Sequence, residues 1–386
     1  MKKRRFSPPG SIFSGIPVLL RYLYRRSAPR CGDAVAALRG GEIQHRWWKW
    51  AAGGLVVAAV GVGLVWRFSP RAFDWHLAAA SVAGLDWMWI GLSLLPVAGT
   101  YYVRALRWAV FLKPLKPHPS IRNLLSATVI GFTAITLFGR AGEFVRPYLI
   151  AVKEKVPFPS QLAAWLLERI FDLLMVLLFF AFALMRITST GVHVGPRLAW
   201  VLAAGGRFVA ASCLGLLVLL FAMRHFAEPV RRYLTHAIRF WPERHFARAE
   251  KLLAGLVQGV ESTRSDGALL AIFLYSVLEW MLIAASYWCL TRSFEAVLHF
   301  SVVDVIIFVG FVSFGAAVQI PGVGGGLQVA AVVVLTELFR VRLEPATSFA
   351  ILLWILSFVV IVPVGLMVTV KEGLDWRSLR RMGREQ

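Results

Sequence analysis

Acidic residues are scarce in this chain and cysteine is nearly absent. Its 386 residues carry 21 Asp+Glu against 42 Lys+Arg, a formal net charge of +21, and three cysteines. Cys31, Cys213 and Cys289 lie far apart, two of them in apolar runs, so they give neither a disulfide framework nor a metal-ligand spacing. The eight histidines are equally scattered, without an HExxH pair. No metal and no other cofactor is expected. Also missing are a GxSxG elbow, a Walker A loop and a paired His/Asp arrangement, which argues against ATP hydrolysis and leaves no recognisable catalytic set. No zinc finger, RNP or helix-turn-helix pattern accompanies the basic charge, so nucleic acid is not an expected partner.

What is present is apolar sequence. Hydrophobic residues make up 58% of the chain, against about 45–50% in a soluble globular domain. They are gathered in long uncharged runs, the signature of membrane spans. The fold class expected is an all-α integral membrane protein with about eight hydrophobic segments. Basic residues fall in the tails and in selected loops, which orients the segments by the positive-inside rule. Residues 1–49 read as a basic cytoplasmic tail, 50–370 as the polytopic membrane domain, and 371–386 as a second basic cytoplasmic tail.

In order, Trp50–Trp66 reads as a first span. The loop 67–86 suits the outer side, and Trp87–Val103 reads as a second span, with Arg104, Arg107, Lys113, Lys116 and Arg122 marking the inner side. The next run, Asn123–Phe138, is short. At 1.5 Å per residue it covers about 24 Å, less than a hydrocarbon core of about 30 Å. The basic segment 224–267 lands on the inner side only if 123–150 enters and returns as a broken hairpin. A span over 160–185, an outer connection over 186–207 and a span at Phe208–Met223 follow. The loop 224–267 is expected to hold an amphipathic surface helix, with Arg231, Arg232, Arg239 and Trp241 at headgroup level. Ala268–Thr291 is the next span, then a second broken hairpin over 305–339, then a last span at Pro345–Val370. Residues 50–185 and 208–370 thus read as two halves of opposite orientation, an inverted-topology repeat.

Ionisable residues inside such segments are costly and normally face a cavity, a partner or a substrate. Arg140, Glu143 and Arg146 follow one another at i, i+3 and i+6 in the stretch Gly139–Pro147. The arginines present planar donor forks suited to phosphate, although an interfacial salt bridge would use the same residues. Glu168, Arg169 and Asp172 share one helical face, suiting either a structural triad or a site. Glu279 stands alone in its span, to pair with an arginine across the bundle or to take part in proton coupling. The break Pro321-Gly322-Val323-Gly324-Gly325-Gly326 would expose backbone N–H groups at membrane depth beside a half-helix, with Gln328 as a polar neighbour. Close helix packing through small residues is the plainer reading of the break.

Gly139-Arg140-Ala141-Gly142-Glu143-x-x-Arg146, Ser160, Glu168-Arg169-x-x-Asp172 and Pro321-Gly322-x-Gly324-Gly325, in this order, resemble the flippase-like membrane domain of the lysylphosphatidylglycerol synthases. The resemblance covers roughly 50–370. It implies a multi-pass protein of the bacterial cytoplasmic membrane, with N- and C-termini cytoplasmic, that moves lipid between leaflets without ATPase activity. It implies the stand-alone form, without the aminoacyl-transferase domain and so without lysyl transfer. The family commonly has glutamate where this chain has Gln328, which leaves an aminoacylated lipid, a glycolipid, a polyprenyl lipid or an unmodified phospholipid open as substrate. The expected partners are membrane lipids, through an anionic headgroup or lipid phosphate, with a homo-oligomer or a separate lipid-modifying enzyme beside them. A membrane-embedded enzyme or partner subunit acting on a lipid-linked substrate is the alternative.

Overall fold

The computed structural model describes residues 73–189, 196–237, 243–260, 265–315, 319–320 and 324–373. The basic tail 1–49, the span Trp50–Trp66, Arg239, Trp241, the residues Pro321–Val323 and the tail beyond Gly373 lie outside the described residues. All the elements below belong to one compact unit beginning at Asp74.

A short helix, α1 (Trp75–Ala83), is capped by Asp74, whose Oδ1 accepts from the His76 and Leu77 backbone N–H groups at 2.8 and 3.2 Å. It occupies part of the stretch expected to be an outer loop and packs on α11 (Leu343–Trp354). After Asp86, a second aspartate cap, the chain bends by 76° into α2 (Trp87–Leu112). The expected span over 87–103 is therefore longer. Arg104 and Arg107 sit inside the helix and not beyond its inner end, because the apolar pattern resumes at Trp108 and Phe111, both almost fully buried.

The segment after α2 folds back on itself. Helix α3 (Ile121–Phe138) ends at Gly139, whose φ of 63° is the left-handed conformation that glycine adopts without strain. A 3-10 turn (Gly139–Phe144) reverses the chain and α4 (Val145–Glu154) returns along α3. The contact is close: a Cβ on Gly142 would lie 2.3 Å from the Ala134 carbonyl carbon and oxygen. The two ends meet at Glu154, which accepts from Ser120 N at 3.2 Å and Asn123 Nδ2 at 2.7 Å and pairs with Lys116 Nζ at 2.7 Å. Both ends of the helical hairpin therefore lie at the same place, although its total length would suffice for one crossing. Glu154→Ala removes the shared acceptor and leaves the partly buried Ser120 and Asn123 donors unmatched. A loss of about 2–4 kcal/mol is expected, at about 1–3 kcal/mol per unsatisfied group. Thermal melting in detergent measures it.

Helix α5 (Phe158–Ser189) follows, then α6 (Pro196–Ala237), whose Gly206–Phe226 stretch is apolar enough to span a membrane. The outer connection expected over 186–207 is consequently shorter, since helix occupies much of it. Arg231 and Arg232 belong to the end of α6 and not to a surface helix. The amphipathic helix expected in this loop is α7 (Glu243–Val260), which packs on α5 and α6.

Helix α8 (Asp266–Ser293) is the main partner of α2. They run antiparallel: Asp86 N donates to Ser293 O at 3.1 Å, Trp89 meets Trp288 edge to face at 5.7 Å, and Gly99 lies against Leu282. A second hairpin then forms from α9 (Val302–Gly315), the two-residue strands β1 (Gln319–Ile320) and β2 (Gly324–Gly325), and α10 (Gly326–Val333) with a π-turn to Leu338. The strands pair antiparallel, Gln319 with Gly325 and Ile320 with Gly324. The far end closes through the tilted rings of Phe300 and Phe339, 4.3 Å apart. The last apolar stretch consists of α11, a π-turn (Ile355–Val359) and α12 (Ile361–Lys371).

The hairpins are exchanged between the closing helices. The first lies against α12, where Gly365 meets the Thr133 side chain; the second lies against α5, where Gly310 meets the Phe179 carbonyl. The π-turn before Pro363 disturbs the carbonyl ladder of the last span. The α3 hydroxyls of Thr136 and Thr133 reach the Phe358 and Ile361 carbonyls at 3.2 and 3.3 Å. The described residues are thus helical apart from the two-residue strands and connecting turns, and among them four stretches are long and apolar enough to cross a membrane, or five with the bent α1–α2 pair.

Candidate functional site

The two hairpin tips converge, with β1 lying beside the Gly139–Phe144 turn. Between them, α2, α5 and α8 enclose a cavity of about 470 Å³. Arg140, Glu143, Arg146, Glu168, Arg169, Asp172 and Glu279 all line it, so residues more than a hundred positions apart in sequence share one space. Its remaining wall combines aromatic and aliphatic side chains, Phe132, Trp165, Trp280 and Phe358 among them, with the hydroxyl-bearing Thr100, Ser286, Ser313 and Ser357.

Behind the lining carboxylates is Arg107, whose side chain is fully buried. Its Nη2 meets Glu168 Oε1 at 2.6 Å, and its Nη1 meets Asp172 Oδ1 and Ser276 Oγ, both at 2.8 Å. Glu279 Oε2 is 3.1 Å from Nη2, an ionic contact without hydrogen-bond alignment. The other Glu279 oxygen accepts from Arg104 Nε at 2.6 Å. Glu168 also binds Arg146 Nη1, at 2.9 Å to each oxygen. Arg169 pairs with Asp172 at 3.0 Å. The guanidinium groups of Arg104 and Arg146 lie over the rings of Phe132 and Trp108, at 4.1 and 4.2 Å, where the ring face favours a cation.

One expected grouping comes apart. Arg146 is buried in the network, whereas Arg140, at the hairpin tip, leaves 62% of its side chain exposed and pairs with Glu143 at 3.3 Å. Glu279 pairs across the bundle, one of the two roles expected of it, and its partners are Arg104 and Arg107. Sequence reasoning missed these two arginines by assigning them to the inner boundary. Their i, i+3 spacing with apolar residues continuing to Leu112 was the available signal. In the glycine break, Gly324 and Gly325 form β2, and Gln328 Oε1 accepts from Gly325 N at 2.7 Å, which fastens the start of α10. Pro321 and Gly322 lie outside the described residues. Among the described residues no group of three or more His, Cys, Asp or Glu is placed to hold a metal ion.

Five arginines thus surround four carboxylates, leaving one positive charge in excess. Buried ion pairs are poor stabilisers, because desolvation offsets most of the Coulomb attraction.

Fold and site define a multi-pass helical membrane protein with a charged internal cavity between two hairpins. The family model described as the lysylphosphatidylglycerol synthase TM region matches residues 50–365, and the chain belongs to that family. A stretch of 105 residues is 30% identical to "Glycosyltransferase AglD" of Haloferax volcanii, covering 26% of this chain and 17% of that protein. No solved structure matches.

Proposed function

We propose that this protein is a lipid flippase or transporter without ATPase activity, which passes a phosphate-bearing headgroup between leaflets of the bacterial cytoplasmic membrane. The observation that carries the reading is the gathering of four arginines in a cavity bounded by both hairpin tips, with the buried Arg107 behind its carboxylates adding one positive charge to the network. Arginine forks bind phosphate oxygens in pairs, and a cavity of about 470 Å³ suits a headgroup but not its acyl tails, which would stay in the lipid. The hairpins are read as re-entrant, and the exchanged packing of α3 with α12 and of α5 with α9 supports an inverted repeat about the α2–α8 pair. Both termini are assigned to the cytoplasm from their basic charge.

A membrane enzyme or partner subunit acting on a lipid-linked glycan is the second reading, favoured by the name of the AglD relative. The cavity carboxylates support it poorly. Both oxygens of Glu168 and of Asp172 are already taken up by arginine, so neither is presented to a substrate as a base.

The test is leaflet exchange of labelled lipids in liposomes containing purified protein. Arg140→Ala is expected to lower exchange at least tenfold while leaving the melting temperature nearly unchanged, since an exposed pair contributes little to stability. Wild-type exchange by the folded variant would sink the site assignment. Mass spectrometry of the recovered lipid separates the readings: a transporter returns it unchanged, an enzyme returns a product.

A further inference from the structure

Resting on the phosphate-binding reading, we propose that the headgroup moved with the phosphate is an uncharged polyol, a sugar, seated against a hydroxyl-lined region of the cavity beyond the arginines. The antiparallel pairing of α2 and α8 gives the cavity a direction. Arg104 and Arg107 face Glu279 and Ser276 at one end. Thr100 lies one turn further along α2, and Ser286 and Tyr287 lie two turns further along α8 in the same direction, about 6 Å and 10–12 Å on at 1.5 Å per residue. Ser357 of the last π-turn lines the cavity together with Tyr287.

Charge excludes the cationic alternative. Each of the four cavity carboxylates is already engaged by arginine: Glu143 by Arg140, Glu168 by Arg107 and Arg146, Asp172 by Arg107 and Arg169, Glu279 by Arg104 and Arg107. An ammonium-bearing headgroup would find no carboxylate lining the cavity that arginine does not already engage, and would enter against a network carrying one positive charge in excess.

Hydrogen-bonding capacity favours the neutral one. The hydroxyls of Thr100, Ser286 and Ser313 each donate to a carbonyl of their own helix, at 2.7, 2.8 and 2.6 Å. A hydroxyl has one proton and two acceptor sites, so what remains to meet a ligand is lone pairs. Trp280, which also lines the cavity, has its indole N–H buried with no hydrogen-bond partner among the described residues. A surface of acceptors with one open donor and aromatic walls matches a molecule carrying several hydroxyl groups. A bare phosphate would use none of it.

The experiment measures binding of three lipids to the full-length protein in nanodiscs: a polyprenyl phosphate, the same lipid bearing one hexose, and lysylphosphatidylglycerol. The hexose-bearing lipid is expected to bind at least about tenfold more tightly than the bare phosphate, the effect of two or three net hydrogen bonds. Ser286→Ala combined with Tyr287→Phe should remove that advantage and leave bare-phosphate affinity unchanged, which also certifies that the variant is folded. Equal binding of the first two lipids, or tightest binding of lysylphosphatidylglycerol, would overturn the sugar assignment alone. Failure of the polyprenyl phosphate lipids to bind, or binding indifferent to Arg140→Ala, would overturn the phosphate reading and this inference with it.

Discussion

Arg107→Met is expected to leave little folded protein. The guanidinium is the counter-charge to Glu168, Asp172 and Glu279 together, and its side chain is fully buried. Removing one partner of a buried ion pair costs about 3–5 kcal/mol because the other charge is left uncompensated. Against a total stability of about 5–15 kcal/mol, a loss of that size unfolds much of the population. Arg107→Lys should rescue poorly, since an ammonium cannot reproduce the fork that engages Glu168 with one nitrogen and Asp172 and Ser276 with the other. Adding Glu279→Gln to Arg107→Met should recover part of the loss by removing one of the stranded charges. Detergent melting curves of the three variants decide the matter. A single variant that melts with the wild type would mean that the network is solvated or rearranges, and that Arg107 is not its centre.

Gly142→Val should have an effect of similar size by a different route. The Cβ position at Gly142 lies 2.3 Å from the Ala134 carbonyl carbon and oxygen, which are backbone atoms that no side-chain rotation can move aside. The returning arm of the first hairpin would have to lift away from α3. That would carry Arg146 off Glu168 and displace Arg140 and Glu143 from the cavity rim. Overpacking costs about 1–3 kcal/mol where neighbours can yield, and more where backbone must shift. Transport should be lost even in the fraction that remains folded. Gly91→Ala is the internal control, because a Cβ there meets nothing within 4 Å and alanine is the better helix former by about 0.5–1 kcal/mol. If Gly142→Val exchanges lipid as well as Gly91→Ala does, the hairpin is not packed as described.

Both variants bear on how a lipid headgroup could be held without a standing cost. With the carboxylates neutralised by arginine and one cation in excess once the buried Arg107 is included, the network has the charge that the proposed binding of a single anionic group requires. Arg140 is the exposed member and can turn toward a ligand without breaking the buried network. This separates two roles within one motif. Arg146 fixes the returning arm, whereas Arg140 at the tip is the more exposed of the two and is the residue proposed to engage a phosphate, so the two should respond differently to mutation.

The sequence by itself determined the membrane class, because 58% apolar composition gathered into uncharged runs has no soluble equivalent. It also determined that the runs near 123–150 and 305–339 are broken. Length at 1.5 Å per residue made them too short to span comfortably, and Gly139 and the glycines near 325 marked the reversals. The charged members Arg140, Glu143, Arg146, Glu168, Arg169, Asp172 and Glu279 were legible as well, since a charge within an apolar run stands out. Only the tertiary structure decided who pairs with whom. Arg104 and Arg107 looked like the end of a span because basic residues usually mark that boundary, and the partners that bury them lie on α5 and α8, up to 175 positions away. Periodicity reports which face of a helix is apolar, but not which other helix will meet it. The exchange of hairpins between α5 and α12, the meeting of their tips and the excess of one positive charge in the cavity are consequences of that packing, and no local pattern in the chain encodes them.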